Sequence, residues 1–448
     1  MASSMKVSMT LPDDLVLSGL PQLLDIDVVR EHLNARGANV GQGQVYYVRY
    51  KPQTNCLAGY RFTRSNASTG NDDQVYFYGK CLNPSEFEIA REKSRMHRWN
   101  EIQHGQAVTP MEEFNTIFYA FPNDARLDGL RLLREPEKLT RFIQSYLPEY
   151  DFDDWRLSNA GLKNTLVRYK PERRAVFQFR TKAVNRSTDQ RQKLKLYWRV
   201  YADGQASEVF RRMDMLADTF GKSDLLSTPR PIGCDPSTGV LVMKEIEGTP
   251  LEMILNTAEA GPSIKLTGAC LARLHSVIDK QLPLLGVEDY LEKARESQKM
   301  LSALSVQLGA QADGLFESLV RAAPKETIRH GLAHGDFYYG QVLINDSQVG
   351  FVDFDRSHIG SPLVDLGNFL AHLKLLKLGK RLVNDDKLSS EFLNAYHHES
   401  DVVYDSRDLQ WWIALSLLLL AVGPFRRLEP EWIDRSSRIL EAAEELLC

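Results

Sequence analysis

The residues able to do chemistry in this chain are concentrated between His334 and Asp365, where the sequence reads HGDFYYGQVLINDSQVGFVDFDRSHIGSPLVD. Two apolar runs, Val342-Leu343-Ile344 and Val349-Gly350-Phe351-Val352, flank the polar set Asn345-Asp346-Ser347-Gln348, a composition suited to a tight turn. The pattern predicts a short hairpin. A hairpin brings its outer ends together, so Asp336, Gln341 and Asp353 should converge on one small volume. Two carboxylates and an amide oxygen are hard donors of the kind Mg²⁺ takes, and Mg²⁺ keeps substrate phosphates in its shell. A carboxylate beside a metal-bound phosphate can orient an attacking hydroxyl.

The same residues carry a resemblance. His334-Gly335-Asp336, Gln341 five residues later, and Asp353-Phe354-Asp355 resemble the aminoglycoside phosphotransferase and choline kinase superfamily. The usual loop there is H-G-D-x-x-x-x-N, with a metal aspartate opening a D-F/W-x motif. Gln341 stands in the asparagine position, and the loop H-G-D-x-x-x-G-Q-V-L is most similar to that of maltokinases. The resemblance implies an α+β, bilobal protein-kinase-like fold with a strand-rich small lobe and a helical large lobe. It implies ATP as donor, Asp336 as catalytic base, Gln341 and Asp353 as Mg²⁺ ligands, and Asp365 as a structural aspartate. His334 and His275 are taken as bracing residues on the same ground. The acceptor implied is a small-molecule hydroxyl, with a sugar or glycan first and an aminoglycoside- or choline-type acceptor second.

Kinase-like small lobes place a phosphate-binding lysine on the third strand and pair it with a glutamate on the next helix. By position these are Arg199, a departure from lysine, and Glu208. A guanidinium is still cationic and grips phosphate bidentately, but it is longer and planar. The phosphate-covering loop falls at Ser158–Asn164, with Gly161 its one glycine, and the adenine should lie against Met243-Lys244-Glu245-Ile246. No G-x-x-x-x-G-K-[ST] is present, which argues against a P-loop enzyme. Arg199, Gln341 and the glycine-poor loop leave a nucleotide-sensing pseudokinase as a third reading; retention of both Asp336 and Asp353 weighs against it. Tyr338 and Tyr339 stand beside Asp336 either to stack on a sugar face or to pack. Asp355 is read as structural. His397-His398 has no partners at metal spacing and reads as a helix end.

The elements that must position these residues contain a repeat. Val167-Arg168-Tyr169-Lys170-Pro171 copies Val48-Arg49-Tyr50-Lys51-Pro52 at an offset of 119, and the offset also aligns Tyr78 with Tyr197, Met96 with Met215, and Gly129 with Gly248. One strand-rich unit is therefore expected twice, at about 36–135 and 155–254, joined by a helix near 136–148. The first copy carries Lys80 where the second carries Arg199. Strands are predicted at 45–50, 60–62 and 74–80, a polar loop at 65–73, and a helix at 86–99. In the second copy strands are predicted at 195–201, 230–235 and 239–246, with a helix at 207–220. Helix starts are expected at Pro12-Asp13-Asp14 and Asp25-Ile26-Asp27. From Ser263 the chain reads as mainly helical, with helices at 363–380, 387–397, 408–422 and 429–447. The expected domains are 1–150, a small-lobe-like repeat domain; 151–250, the small lobe; and 251–448, the catalytic lobe.

The bulk numbers agree with an ordinary globular chain. Of 448 residues, 43% are apolar and 25% charged, with a formal charge of −4 that gives no case for nucleic acid. Five scattered cysteines without C-x-x-C spacing argue against zinc or a disulfide framework and fit a cytoplasmic protein. The first residues, MASSMKVSMTLPDDLV, hold no apolar core of a secretion signal. The apolar run Trp411–Val422 is too short to span a bilayer and is expected to be a buried helix, so no membrane partner is expected.

Overall fold

The computed structural model describes residues 11–65, 72–96, 101–102, 105–106, 108–202, 204–325, 330–346 and 348–448. Part of the polar loop predicted at 65–73, the end of the helix predicted at 86–99, and Ser347 lie outside the described residues. The chain falls into two compact units. One is Met1–Ala206 with Cys234–Val242 and Gly423–Ile433; the other is Ser207–Gly233 with Met243–Val422 and Asp434–Cys448.

The first unit is built on two antiparallel sheets. Strands Gly43–Lys51, Asn55–Ser65 and Asp72–Leu82 lie side by side in one, followed by Thr116–Ala120 and Val108–Met111. Strands Lys163–Lys170, Arg174–Asn185 and Arg191–Tyr201 do so in the other, followed by Val240–Lys244 and Pro231–Asp235. The strand order is the same. The offset of 119 holds through the first three strands and slips by a few residues in the last two. Turn residues Gln53 and Glu172, which correspond, both sit in the left-handed region with φ of 57°. Strand Arg174–Asn185 shows why the second sheet forms: Phe177, Phe179, Thr181 and Ala183 are buried while Gln178, Arg180 and Lys182 alternate outward. Trp198 stacks on Phe177 at 4.3 Å, which closes that inner face.

The two sheets share apolar and ionic contacts, so the chain divides differently from the segments 1–150, 151–250 and 251–448. Phe121 meets Tyr169 at 5.0 Å and Phe177 at 6.3 Å between ring centres. Asp124 accepts from the Tyr169 hydroxyl at 2.8 Å and from the Glu172 amide at 2.9 Å. Glu172 is almost fully buried, and its carboxylate accepts from Lys80 at 2.9 Å and Arg49 at 2.8 Å. Two cations around one buried carboxylate satisfy a charge that would otherwise be costly to desolvate.

Of the two helix starts expected near the N-terminus, one forms. Asp25 caps helix Ile26–Asn34, accepting from the amides of Asp27 and Val28. Pro12-Asp13-Asp14 starts no helix. The Asp14 carboxylate instead accepts from the amides of Val16 and Leu17 and holds the Tyr50 hydroxyl and the Gln53 amide, each at 2.8 Å. Within helix Ile26–Asn34, His32 is buried against Phe118, and burial together with the Arg36 charge pulls its pKa down from 6.5 to about 4. The unfolded chain therefore takes up a proton below pH 6.5 that the folded chain refuses until about pH 4, so stability falls with pH across that window. A urea midpoint that declines from pH 6.5 to 4 in the wild type, and less steeply in His32→Gln, is the expected measurement.

The second unit is mainly helical, with Ala260–His275, Val287–Leu304, Val306–Arg321, Leu363–Leu378, Asp385–Glu399, Ser406–Leu420 and Trp432–Glu444 around short strands. The stretch Ser406–Arg426 is long and apolar enough to cross a membrane, with mean hydropathy 1.5, yet 72% of its most apolar window is buried inside the protein. Trp411 shows its role: the indole is buried and donates to the Leu319 carbonyl at 2.8 Å. The fold is α+β and protein-kinase-like.

Candidate active site

The hairpin forms as its pattern requires. Val342–Asn345 pairs antiparallel with Gln348–Phe351, matching Val342 with Phe351 and Asn345 with Gln348. Asp346 takes the left-handed conformation in the turn, φ 48°. One further bond, from the Val352 amide to the Gln341 carbonyl at 3.0 Å, extends the ladder and sets Gln341 opposite Val352, next to Asp353. A second strand pair, Gly331–Ala333 with His358–Gly360, matches Ala333 with His358 and draws the loop after Ala333 beside the one before His358. The approach is close at Gly335, whose φ is 78°: a Cβ there would stand 2.4 Å from the Arg356 carbonyl. His334 Nε2 donates to the Val352 carbonyl at 2.9 Å. The segments carrying Asp336, Gln341 and Asp353 thus meet at the open end of the hairpin.

Asp365 braces this end. It is fully buried at the start of helix Leu363–Leu378; Oδ2 accepts from the His334 amide at 2.6 Å and His275 Nε2 at 3.1 Å, and Oδ1 from the Gly335 amide at 2.9 Å. Burial pushes its carboxyl pKa up, but the His275 and His334 interactions outweigh burial and hold it below the usual carboxylate range. With Nε2 donating, His275 Nδ1 accepts from the Tyr396 hydroxyl at 2.9 Å. On the other side of Asp336, Phe337 is buried against Phe351 and Phe369, and its carbonyl accepts from Asn368 Nδ2 at 2.9 Å. Asp336 is the half-exposed residue between two anchored ones.

The donor set fits a hard divalent ion. Among the described residues no group of three His, Cys, Asp or Glu is arranged to hold a metal, so a metal site here would draw on an amide oxygen such as that of Gln341. Two carboxylates and an amide leave room for the phosphates and waters that Mg²⁺ prefers.

Segment 243–250 runs along the hairpin. Met243 is buried, Glu245 and Ile246 are half-buried, and Ile246 packs so closely on Gly350 that a Cβ there would stand 2.7 Å from its Cγ2. Thr249 and Pro250 pair with Ile344 and Leu343. Of the other expected nucleotide residues, Arg199 belongs to the first unit, is buried, and donates to the Tyr201 hydroxyl at 3.0 Å. Glu208 belongs to the second unit and pairs with Arg212 one helical turn on. Lys80 is paired with Glu172.

One expectation is corrected. Gly161 does sit in a left-handed turn, φ 77°, with open space around it. The turn does not join paired strands, however. Trp155–Leu157 and Lys163–Lys170 both pair with Arg174–Asn185, one after the other along the same edge. The hairpin turn between Lys163–Lys170 and Arg174–Asn185 is Pro171–Arg173, carrying Glu172.

Tyr339 is buried, with an edge contact to His372 at 5.9 Å. Tyr338 is half-exposed and stacks on His372 at 4.3 Å. His397 Nε2 bonds the Tyr404 hydroxyl at 2.9 Å, in keeping with a helix end. Three residues were not singled out from sequence: Arg212, Asn368 and His372. The last two follow Asp365 by three and seven residues, which puts them on its helix face, and that spacing was the available signal.

No curated protein sequence matches the chain. Solved structures with a similar fold include a choline kinase from Cryptosporidium parvum Iowa II (11% identity, 70% of this chain and 95% of that chain, TM-score 0.47). They also include a choline/ethanolamine kinase family protein from Mesorhizobium loti (17%, 70% and 95%, TM-score 0.44) and an aminoglycoside phosphotransferase from Streptomyces rimosus (16%, 58% and 94%, TM-score 0.42). Residues 173–409, just over half of the chain and including the whole His334–Asp365 stretch, match the phosphotransferase enzyme family, and the chain belongs to that family of small-molecule kinases.

Proposed function

We propose that the protein transfers the γ-phosphoryl group of ATP to a hydroxyl of a sugar or glycan. The setting of Asp336 carries the reading: a half-exposed carboxylate held between His334-Gly335, tied to Asp365, and Phe337, sunk in the core. Asp336 orients the acceptor hydroxyl and takes its proton late in the transfer. Gln341 and Asp353 would hold Mg²⁺, which would offset the negative charge of the nucleotide phosphates. Arg199 would grip phosphate, and the backbone of Met243–Ile246 would meet the adenine.

The charge on the second sheet supports an anionic donor. Three of its strands, Lys163–Lys170, Arg174–Asn185 and Arg191–Tyr201, hold ten basic residues and no acidic one. Arg199 shares its face with Arg180, Lys182, Lys193 and Lys195, all four exposed. Such a face attracts nucleotide phosphates and repels a cationic acceptor. Tyr338, backed by His372, offers a ring beside Asp336, which favours a sugar face. A second reading, nucleotide binding without transfer, is favoured by Glu208 being held by Arg212.

The test is ATP consumption with Mg²⁺ against a panel of mono- and oligosaccharides, aminoglycosides and choline, with products read by ³¹P NMR. A new phosphomonoester signal in the sugar arm is the expected result. A signal confined to the aminoglycoside or choline arms changes the acceptor. Tight ATP binding with no product in any arm favours the second reading.

A further inference from the structure

Asp353 holds a costly conformation. Its backbone lies in the left-handed region, φ 72° and ψ 52°, which a non-glycine residue keeps only where its surroundings impose it. Two side chains grip the carbonyls on either side. His334 Nε2 donates to the carbonyl of Val352 at 2.9 Å, and a guanidinium nitrogen of Arg212 donates to that of Asp355 at 2.7 Å. Arg212 comes from helix Gln205–Phe220, and its other guanidinium nitrogen pairs with Glu208 on the same helix. Its side chain is only 11% exposed, so the bond to the Asp355 carbonyl is partly shielded from water, a setting in which charge-assisted bonds are stronger, while Glu208 is 54% exposed.

We infer that Arg212 is a positioning residue: it ties the helix that carries Glu208 to the turn that presents Asp353, and so sets the aim of the metal-binding carboxylate. The inference rests on the reading of Asp353 as a Mg²⁺ ligand. Arg212 touches neither metal nor substrate in this arrangement; it acts through the Asp355 carbonyl, two residues beyond the ligand. A pure packing role is disfavoured by its surroundings. Beside it the helix opens on a cavity of ≈430 Å³ lined in part by Met215, Thr219, Ile278 and Leu282. Truncating Arg212 therefore releases a tether more than it empties a core site. Glu208 gains a second part as well. Whatever moves its carboxylate away from Arg212 also loosens the hold on the metal turn.

The test uses Mn²⁺ and ADP as probes and needs no acceptor. Mn²⁺ binding to the full-length protein–ADP complex is titrated by EPR for wild type, Arg212→Met and Arg212→Lys, and ADP binding is measured again in EDTA. Arg212→Met is expected to weaken Mn²⁺ binding about tenfold or more, as for residues that orient metal ligands from behind, with ADP affinity in EDTA changed less than about twofold. Arg212→Lys keeps a donor for the carbonyl but loses the fork, and is expected to recover most of the loss. If Arg212→Met does not fold, a loss of about threefold in the lysine variant stands in for it. Unchanged Mn²⁺ binding in the variants, or an equal loss of ADP with and without metal, overturns the inference and leaves the site reading intact. A wild-type ADP complex that binds no Mn²⁺ overturns both.

Discussion

Replacing Asp336 by asparagine is expected to lower phosphoryl transfer by about a thousandfold while leaving ATP affinity within about twofold. Asparagine matches the shape of aspartate and still offers an oxygen to the acceptor hydroxyl, but it takes no proton and adds two N–H donors where an acceptor is needed. The loop around it should not move. The amides of His334 and Gly335 remain on Asp365, and Phe337 remains in the core. The loss therefore reports on chemistry and not on folding. Asp353→Asn is the contrasting variant, since it should weaken metal-dependent nucleotide binding itself. Turnover of Asp336→Asn within tenfold of wild type, measured as acceptor-dependent ATP consumption, would remove Asp336 from the mechanism.

The second large effect concerns the first unit. Glu172→Ala is expected to destabilise the protein by about 3 kcal/mol, because it leaves Arg49 and Lys80 facing each other without the carboxylate that joins them. The side chains of the two cations are 15% and 24% exposed, so part of their charge still reaches water, which keeps the cost below that of a fully buried orphan. A combined Glu172→Gln, Arg49→Met, Lys80→Met protein should recover most of the loss, since no charge is then stranded. The measurement is the urea midpoint of each variant. A fall in Glu172→Ala that the triple variant fails to relieve would mean that the turn backbone, held left-handed at φ 57°, matters more than the ions. The clamp also gives the first sheet a task. It holds the turn Pro171–Arg173 of the second sheet, just ahead of the strand in which Val176 pairs with Arg199, so the first sheet supports the second.

The site was legible to the extent that its information is local. The hairpin follows from alternating apolar residues around a polar turn, and its register follows from a loop two residues long. Strands at 45–50, 74–80 and 195–201 are found within Gly43–Lys51, Asp72–Leu82 and Arg191–Tyr201. Helices predicted at 207–220 and 363–380 form as Gln205–Phe220 and Leu363–Leu378. The 119-residue offset matches the bounds of the first three strands of the two sheets and not those of the last two. Asp14 shows the limit even of local signals. Pro-Asp-Asp is a sound helix start, but the carboxylate is used by Tyr50 and Gln53, which lie 36 and 39 residues away.

Periodicity and turn chemistry, which act over a few residues, determined the hairpin. The tertiary structure alone decided which charges meet. Glu172 takes Arg49 and Lys80 from 123 and 92 residues away, and Arg212 reaches the Asp355 carbonyl across 143. Glu208 is held by its own helix neighbour. A carboxylate has no preference among cations until burial removes water as a competitor, and burial is a property of the packed chain.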